Sequence, residues 1–286
     1  MPNISNLARS VNKYQKRHRL TAFSYAVIKK YGEDEGGYHA ALLTYYGFLS
    51  LFPFLLVVIT ITKNYLGNNI SLENHITKSI TDYFPVLGNQ LTSHIHSLSR
   101  NGPALIFGVL FTLYGVKGVA ASFSRSVQRL WSVRQNRENG FIQSLTNNFI
   151  VIVIGGIGLL SASVLSGFAA SYGHSFATRL LSVCINLLIL FGMFIVLINF
   201  CLPKEVKLKD IWTGALFAAV GLLFLQVAGG FILTSHLKTL DALYSYFAIT
   251  LGLLFWIYLQ AQLIIYSIEI SIVHSKKLWP REMINQ

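Results

Sequence analysis

The stretch Phe247–Val273 reads FAITLGLLFWIYLQAQLIIYSIEISIV, and Glu269 is its one charged residue in 27 positions. As a helix rising 1.5 Å per residue it is about 40 Å long, more than the roughly 30 Å hydrocarbon core of a bilayer. No water-soluble helix of that length needs to be apolar on every face. Working outward, five further stretches read the same way. They are Ala40–Thr62 (AALLTYYGFLSLFPFLLVVITIT), Ala104–Ala121 opened by Gly102-Pro103, Phe149–Ala169, Leu180–Leu202 stopped by Pro203, and Ile211–Leu233. The expected fold is an all-α integral membrane protein with six transmembrane helices, plus amphipathic interfacial helices. Lys117 interrupts the second span, and with no breaker after it that helix should run on through Trp131.

Composition agrees with this and removes the alternatives. Of 286 residues, 53% are hydrophobic and only 12% charged, with a mean hydropathy of +0.53. That excludes disorder, and it leaves too few polar residues to coat a soluble enzyme. The charges are lopsided, 23 Lys+Arg against 11 Asp+Glu, a net +12. Threaded through six spans, eighteen basic residues fall on the side of the termini and five on the other. Basic residues concentrate on the cytoplasmic side of membrane proteins, so both termini are expected in the cytoplasm. The excess charge is thereby an orientation signal and not a nucleic-acid footprint.

The resulting organisation is a basic cytoplasmic segment over 1–39, a membrane domain over 40–273 and a cytoplasmic tail over 274–286. Residues 1–30 have no apolar core of a signal peptide. Within them Thr21–Tyr31 is amphipathic and reads as a helix on the inner membrane face, or as one packed on its neighbours. Outside, 63–102 carries Ile76, Ile80, Leu87, Leu91, Ile95 and Leu98 at helical spacing around Pro85, which predicts an amphipathic cap.

Small residues mark packing seams: Gly158, Ala162, Ser166 and Ala170 in the third span, and Gly214 with Ala218 and Ala215 with Ala219 in the fifth. These seams serve one subunit or a homo-oligomer. Pro53 should kink the first span, with Ser50 helping to re-satisfy the freed backbone. Cys184 and Cys201 lie too far apart along one helix, about 25 Å, to form a disulfide.

Charges inside spans are costly and point to function. On the sixth helix Tyr258, Gln262, Tyr266 and Glu269 fall within about 80° and form one polar stripe. On the second, Lys117 shares a face with Ser124 and Gln128, with Arg125 nearby. The candidate polar site is therefore Lys117, Arg125, Gln262, Tyr266 and Glu269, with a Lys117–Glu269 ion pair as one arrangement and headgroup snorkelling as the other. Five histidines fall outside (His75, His94, His96, His174 and His236). No metal-ligand, nucleotide or nucleophile motif is seen, so no catalytic residue, metal or cofactor is expected.

Four blocks then carry a resemblance: SLFPFLL (Ser50–Leu56), SVQRLWSVRQNR (Ser126–Arg137), LPKEVKLKDIWTGALFAA (Leu202–Ala219) and FWIYLQAQLIIYSIEI (Phe255–Ile270). In this order they resemble the YihY/BrkB family over about Ala40–Val273. Where that family has a glycine–alanine–glutamate end, this chain has Tyr266, Ser267 and Ile268 before Glu269, and only Glu269 maps. The resemblance implies a six-span protein of the bacterial inner (cytoplasmic) membrane. Relatives have carried a tRNA-processing ribonuclease label (ribonuclease BN) or links to virulence and to movement of lipid precursors. The residues favour a transporter or flippase-like protein for a lipid or small anionic solute. The alternatives are a non-transporting scaffold that binds lipids or envelope proteins and, last, the ribonuclease. Membrane lipids are the expected partners, nucleic acid is not, and no enzyme activity is expected.

Overall fold

A computed structural model describes residues 19–66, 102–133, 146–158, 161, 176–203, 206–236 and 242–279, without the side chains of 52–66 and some others. The described residues form seven helices: α1 Arg19–Glu33, α2 Gly36–Leu66, α3 Gly102–Leu130, α4 Thr146–Gly158, α5 Phe176–Cys201, α6 Leu208–His236 and α7 Ala242–Ser275. Among the described residues, Leu180–Cys201, Leu208–Gln226 and Thr250–Ser275 are long and apolar enough to cross a membrane. α3 is unbroken through Lys117 and stops at Leu130, with Trp131 and Ser132 in the turn beyond. α2 runs through Pro53 to Leu66. The Ser50 hydroxyl donates to the Gly47 carbonyl at 3.0 Å, whereas the carbonyl left free by Pro53 belongs to Leu49. Of the expected cap over 63–102, residues 67–101, with His75, His94 and His96, lie outside the described residues, while 63–66 end α2 and Gly102 opens α3.

The molecule is apolar on its outside and polar in parts of its interior, the inverse of a water-soluble bundle. Ile106, Phe107, Leu110, Leu180, Leu181, Leu188, Phe224 and Phe255 are exposed, while Ser126, Ser267, Ser271 and Glu269 are buried. Lipid, which costs nothing to an exposed leucine, is the solvent this surface suits.

Two antiparallel helix pairs build the bundle. α2 and α3 meet at Tyr46 with Gly118 and at Ser50 with Gly115, where a Cβ on Gly115 would sit 2.8 Å from Ser50 Cα. α6 and α7 meet along the seam expected in the fifth span. Gly214 lies against the Ser267 carbonyl and the Ser271 hydroxyl, and Ala215, Ala218 and Ala219 on the same helix are fully buried. Ser271 Oγ donates to the Ile211 carbonyl at 3.1 Å across the same seam. The seam therefore works within one subunit. On α4, Gly158 packs on Met193 of α5, while Ala162, Ser166 and Ala170 lie outside the described residues. Cys184 and Cys201 are both free thiols, exposed and buried respectively.

α1 packs antiparallel on α7, with Ala26 and Val27 against Val273 and the Phe23 ring edge-on to Trp279 at 5.3 Å. This is the packed alternative for Thr21–Tyr31, with the basic end of the helix turned toward α7. A two-residue turn, Asp34-Glu35, leads into α2, and Glu35 takes a φ of 53° to make it. That left-handed conformation makes the break between the two helices and leaves the end of α1 beside the start of α2, where Tyr31 meets Gly36.

Candidate functional site

Glu269 is fully buried on α7, and the cation beside it is Lys30 of α1, 3.5 Å away. This corrects the Lys117–Glu269 arrangement. Lys117 is exposed on α3, a helix that packs chiefly on α2, and the helix laid directly over this part of α7 is α1. Lys30 is itself buried and also hydrogen-bonds Asp34 one turn later. One ammonium is thus shared between a half-exposed carboxylate and a buried one. Neither Glu269 oxygen accepts a hydrogen bond of ordinary geometry among the described residues. Attraction at this distance is strong in a low-dielectric interior, but a carboxylate without hydrogen bonds leaves much of its desolvation cost uncovered.

The rest of the expected stripe continues from Glu269 and also faces α1. Tyr266 stacks on Tyr31, with ring centroids 4.1 Å apart and planes 9° from parallel. Gln262 Nε2 donates to Tyr258 Oη at 3.1 Å and to Tyr31 Oη at 3.4 Å. Burial pushes the Tyr31 phenol above its ordinary range, with the Gln262 hydrogen bond working the other way. Tyr31 therefore stays neutral and keeps an O–H to donate. Gln262, Tyr266 and Glu269 are brought together as the spacing predicts, and Lys30 and Tyr31 complete them.

Arg125 belongs to a second place. A cavity of about 420 Å³ opens between the first turns of α2 and the last turns of α3, lined by Tyr38, His39, Leu42 and Tyr46 from one and Ser122, Arg125, Ser126, Gln128 and Arg129 from the other. Arg125 Nε donates to the Ala121 carbonyl at 3.1 Å. Arg129 reaches Glu35 at 3.8 Å, with both side chains about two-thirds exposed (66% and 65%). Gln128 is committed elsewhere, donating to the Cys201 carbonyl at 3.2 Å. His39 is buried, with Nδ1 2.9 Å from Ser126 Oγ, and its Nε2 has no partner among the described residues. Burial, reinforced by the Arg129 charge and opposed by Glu35 and Asp34, holds the His39 imidazole below its ordinary range.

Lys117 lies about 12 Å along the α3 axis from Arg125, eight residues away. The five expected residues therefore divide into three places: Gln262, Tyr266 and Glu269 under α1, Arg125 in the α2–α3 cavity, and Lys117 on the exposed face. Sequence reasoning passed over Lys30, Tyr31 and His39. The signal for His39 was a histidine at the last polar position before a span. Among the described residues no three His, Cys, Asp or Glu side chains group as metal ligands.

Comparison with known proteins adds the family. The family described as "Virulence factor BrkB" matches residues 27–284, and the chain belongs to it. The ribonuclease-like protein YfkH of Bacillus subtilis (strain 168) is 28% identical over 277 residues, covering 91% of this chain and 98% of its own length. A UPF0761 membrane protein of Psychrobacter sp. (strain PRwf-1) is 26% identical over 92% of this chain, and this chain spans about half (51%) of that relative. A UPF0761 membrane protein of Acinetobacter baylyi is 26% identical over 96% of this chain and 68% of its own length. No solved structure matches the chain. With its helices and apolar surface, this makes the chain an all-α membrane protein of the BrkB family.

Proposed function

We propose that this membrane protein of the BrkB family is a transporter or flippase-like protein for a lipid or small anionic solute. It crosses the bacterial inner membrane six times, with both termini in the cytoplasm and membrane lipids as its partners. The observation that carries this reading is the buried Lys30–Glu269 pair at the end of the Tyr258–Gln262–Tyr266 stripe. Ionisable groups in the interior of a membrane bundle are expensive and accompany substrate or ion pathways. The chain has no nucleotide-binding motif, so movement is passive or ion-coupled. We read the chain as non-enzymatic. Purified protein should leave a precursor tRNA uncut.

The test is flux of a fluorescent anionic phospholipid, and of a small anion, in vesicles containing the purified protein. Glu269→Gln and Arg125→Gln should each lower the rate at least tenfold while the variants stay folded. Unchanged flux in both overturns the site, and no flux in the wild type overturns the reading. A scaffold is the second reading, favoured by the way Lys30 and Glu269 fasten α1 to α7. It predicts that removing the pair detaches α1 and that no variant alters flux.

A further inference from the structure

We infer that the cavity between α2 and α3 binds a phosphate-type oxyanion, gripped by Arg125 and Arg129 and met by Nε2 of buried His39. Three independent features converge on it. Arg125 and Arg129 stand four residues apart on one face of α3, and like charges at that spacing repel and destabilise a helix. An anion between them turns the repulsion into two attractions. Each guanidinium is a planar fork suited to paired oxygens, and Arg125 has one N–H engaged with a carbonyl and the others open among the described residues. His39 also lines the cavity and is 4% exposed, and its Nε2 has no partner among the described residues. When Ser126 donates to Nδ1, the imidazole proton sits on Nε2 and becomes a buried donor with no acceptor, which is costly until a ligand supplies one.

The room fits the chemistry. At about 420 Å³ the cavity is within the roughly 300–1,000 Å³ of small-ligand sites. A tetrahedral oxyanion offers enough oxygens for two forks and an imidazole at once, which a single carboxylate does not. Glu35 already shows what Arg129 attracts, because its carboxylate is drawn to that guanidinium at 3.8 Å. Being exposed, it is a competitor that a phosphate displaces. The phosphate is that of a phospholipid headgroup or a free ion.

Inorganic phosphate is titrated into the full-length protein, in vesicles of phosphatidylcholine alone and in vesicles that also contain phosphatidylglycerol. Saturable binding is expected in the first. Arg125→Gln with Arg129→Gln should weaken it about 10- to 100-fold, the range for a lost charged hydrogen bond. Glu35→Gln should tighten it severalfold, an effect that general damage to the fold does not produce. Phosphatidylglycerol competing the phosphate away identifies a lipid headgroup, and equal affinity in both vesicles identifies the free ion. Either supports the oxyanion site. Absence of binding to the wild type, or equal binding by the double-arginine variant, overturns it. Binding without flux would leave this site standing and remove the transport reading, and flux without binding would do the reverse.

Discussion

Lys30→Met is the sharpest perturbation of the interior. It deletes the cation 3.5 Å from a carboxylate that accepts no hydrogen bond of ordinary geometry among the described residues and whose side chain is 0% exposed, against 9% for Lys30. Removing one partner of a buried pair strands the other and typically costs about 3–5 kcal/mol. Here we expect about 3 kcal/mol, because the carboxyl can escape part of the penalty by taking up a proton. Glu269→Gln alone should cost less, since Lys30 keeps Asp34. Combining the two should recover most of the loss, which gives a coupling energy of about 2 kcal/mol. The same cycle with Lys117→Met in place of Lys30→Met should be additive within about 0.5 kcal/mol. Equilibrium unfolding in bicelles measures all the variants. Coupling of Glu269 to Lys117 and not to Lys30 would refute the assignment.

Two further perturbations read other parts of the molecule. Gly214→Ala drives a methyl group into the Ser267 carbonyl, and backbone cannot yield as a side-chain tip does. With the overpacking cost and a weakened Ser271–Ile211 hydrogen bond, we expect a loss of about 2–4 kcal/mol. Gly192→Ala, with nothing within 4 Å, should instead be neutral or stabilise by up to about 1 kcal/mol in the same unfolding measurement. The pH dependence should report His39. A base whose folded value is depressed stabilises the protein above its unfolded value, near 6.5, and loses that contribution as pH falls through the folded value. Melting temperature should therefore drop between neutral pH and pH 5 or so, and drop less in His39→Gln. An equal drop in both would remove His39 as the cause.

Three of the spans were legible because burial in lipid demands a single property over a long stretch. Phe247–Val273 lies within α7, and Leu180–Leu202 runs one residue past the end of α5 at Cys201. The helices run past the expected limits because a helix continues into the headgroup region after its apolar run has stopped. The polar stripe on α7 was legible for the same reason of periodicity. Its partner was not. Spacing within one helix fixes a face, but says nothing of which helix covers that face. Lys30 lies in the amphipathic stretch before the first span, and the packing of α1 on α7 is what sets it beside Glu269. Arg125 was found as a charge near the Lys117 face of the second span, yet what closes its surroundings into a cavity is His39, bonded to Ser126 from 87 residues away across the α2–α3 contact.

The Asp34-Glu35 turn has one further consequence. Its first residue holds Lys30, the cation of Glu269, and its second holds Arg129 at the mouth of the cavity. A ligand that takes Arg129 from Glu35 releases one side of that turn while the other remains tied to α7. If such release shifts Lys30, then occupancy of the cavity and the charge state of Glu269 are thermodynamically linked, and the linkage is reciprocal. A change at Glu269 alters affinity in the cavity by the same factor as the ligand alters proton affinity at Glu269. Two adjacent residues would then serve as the coupling element between the cavity and the Lys30–Glu269 pair.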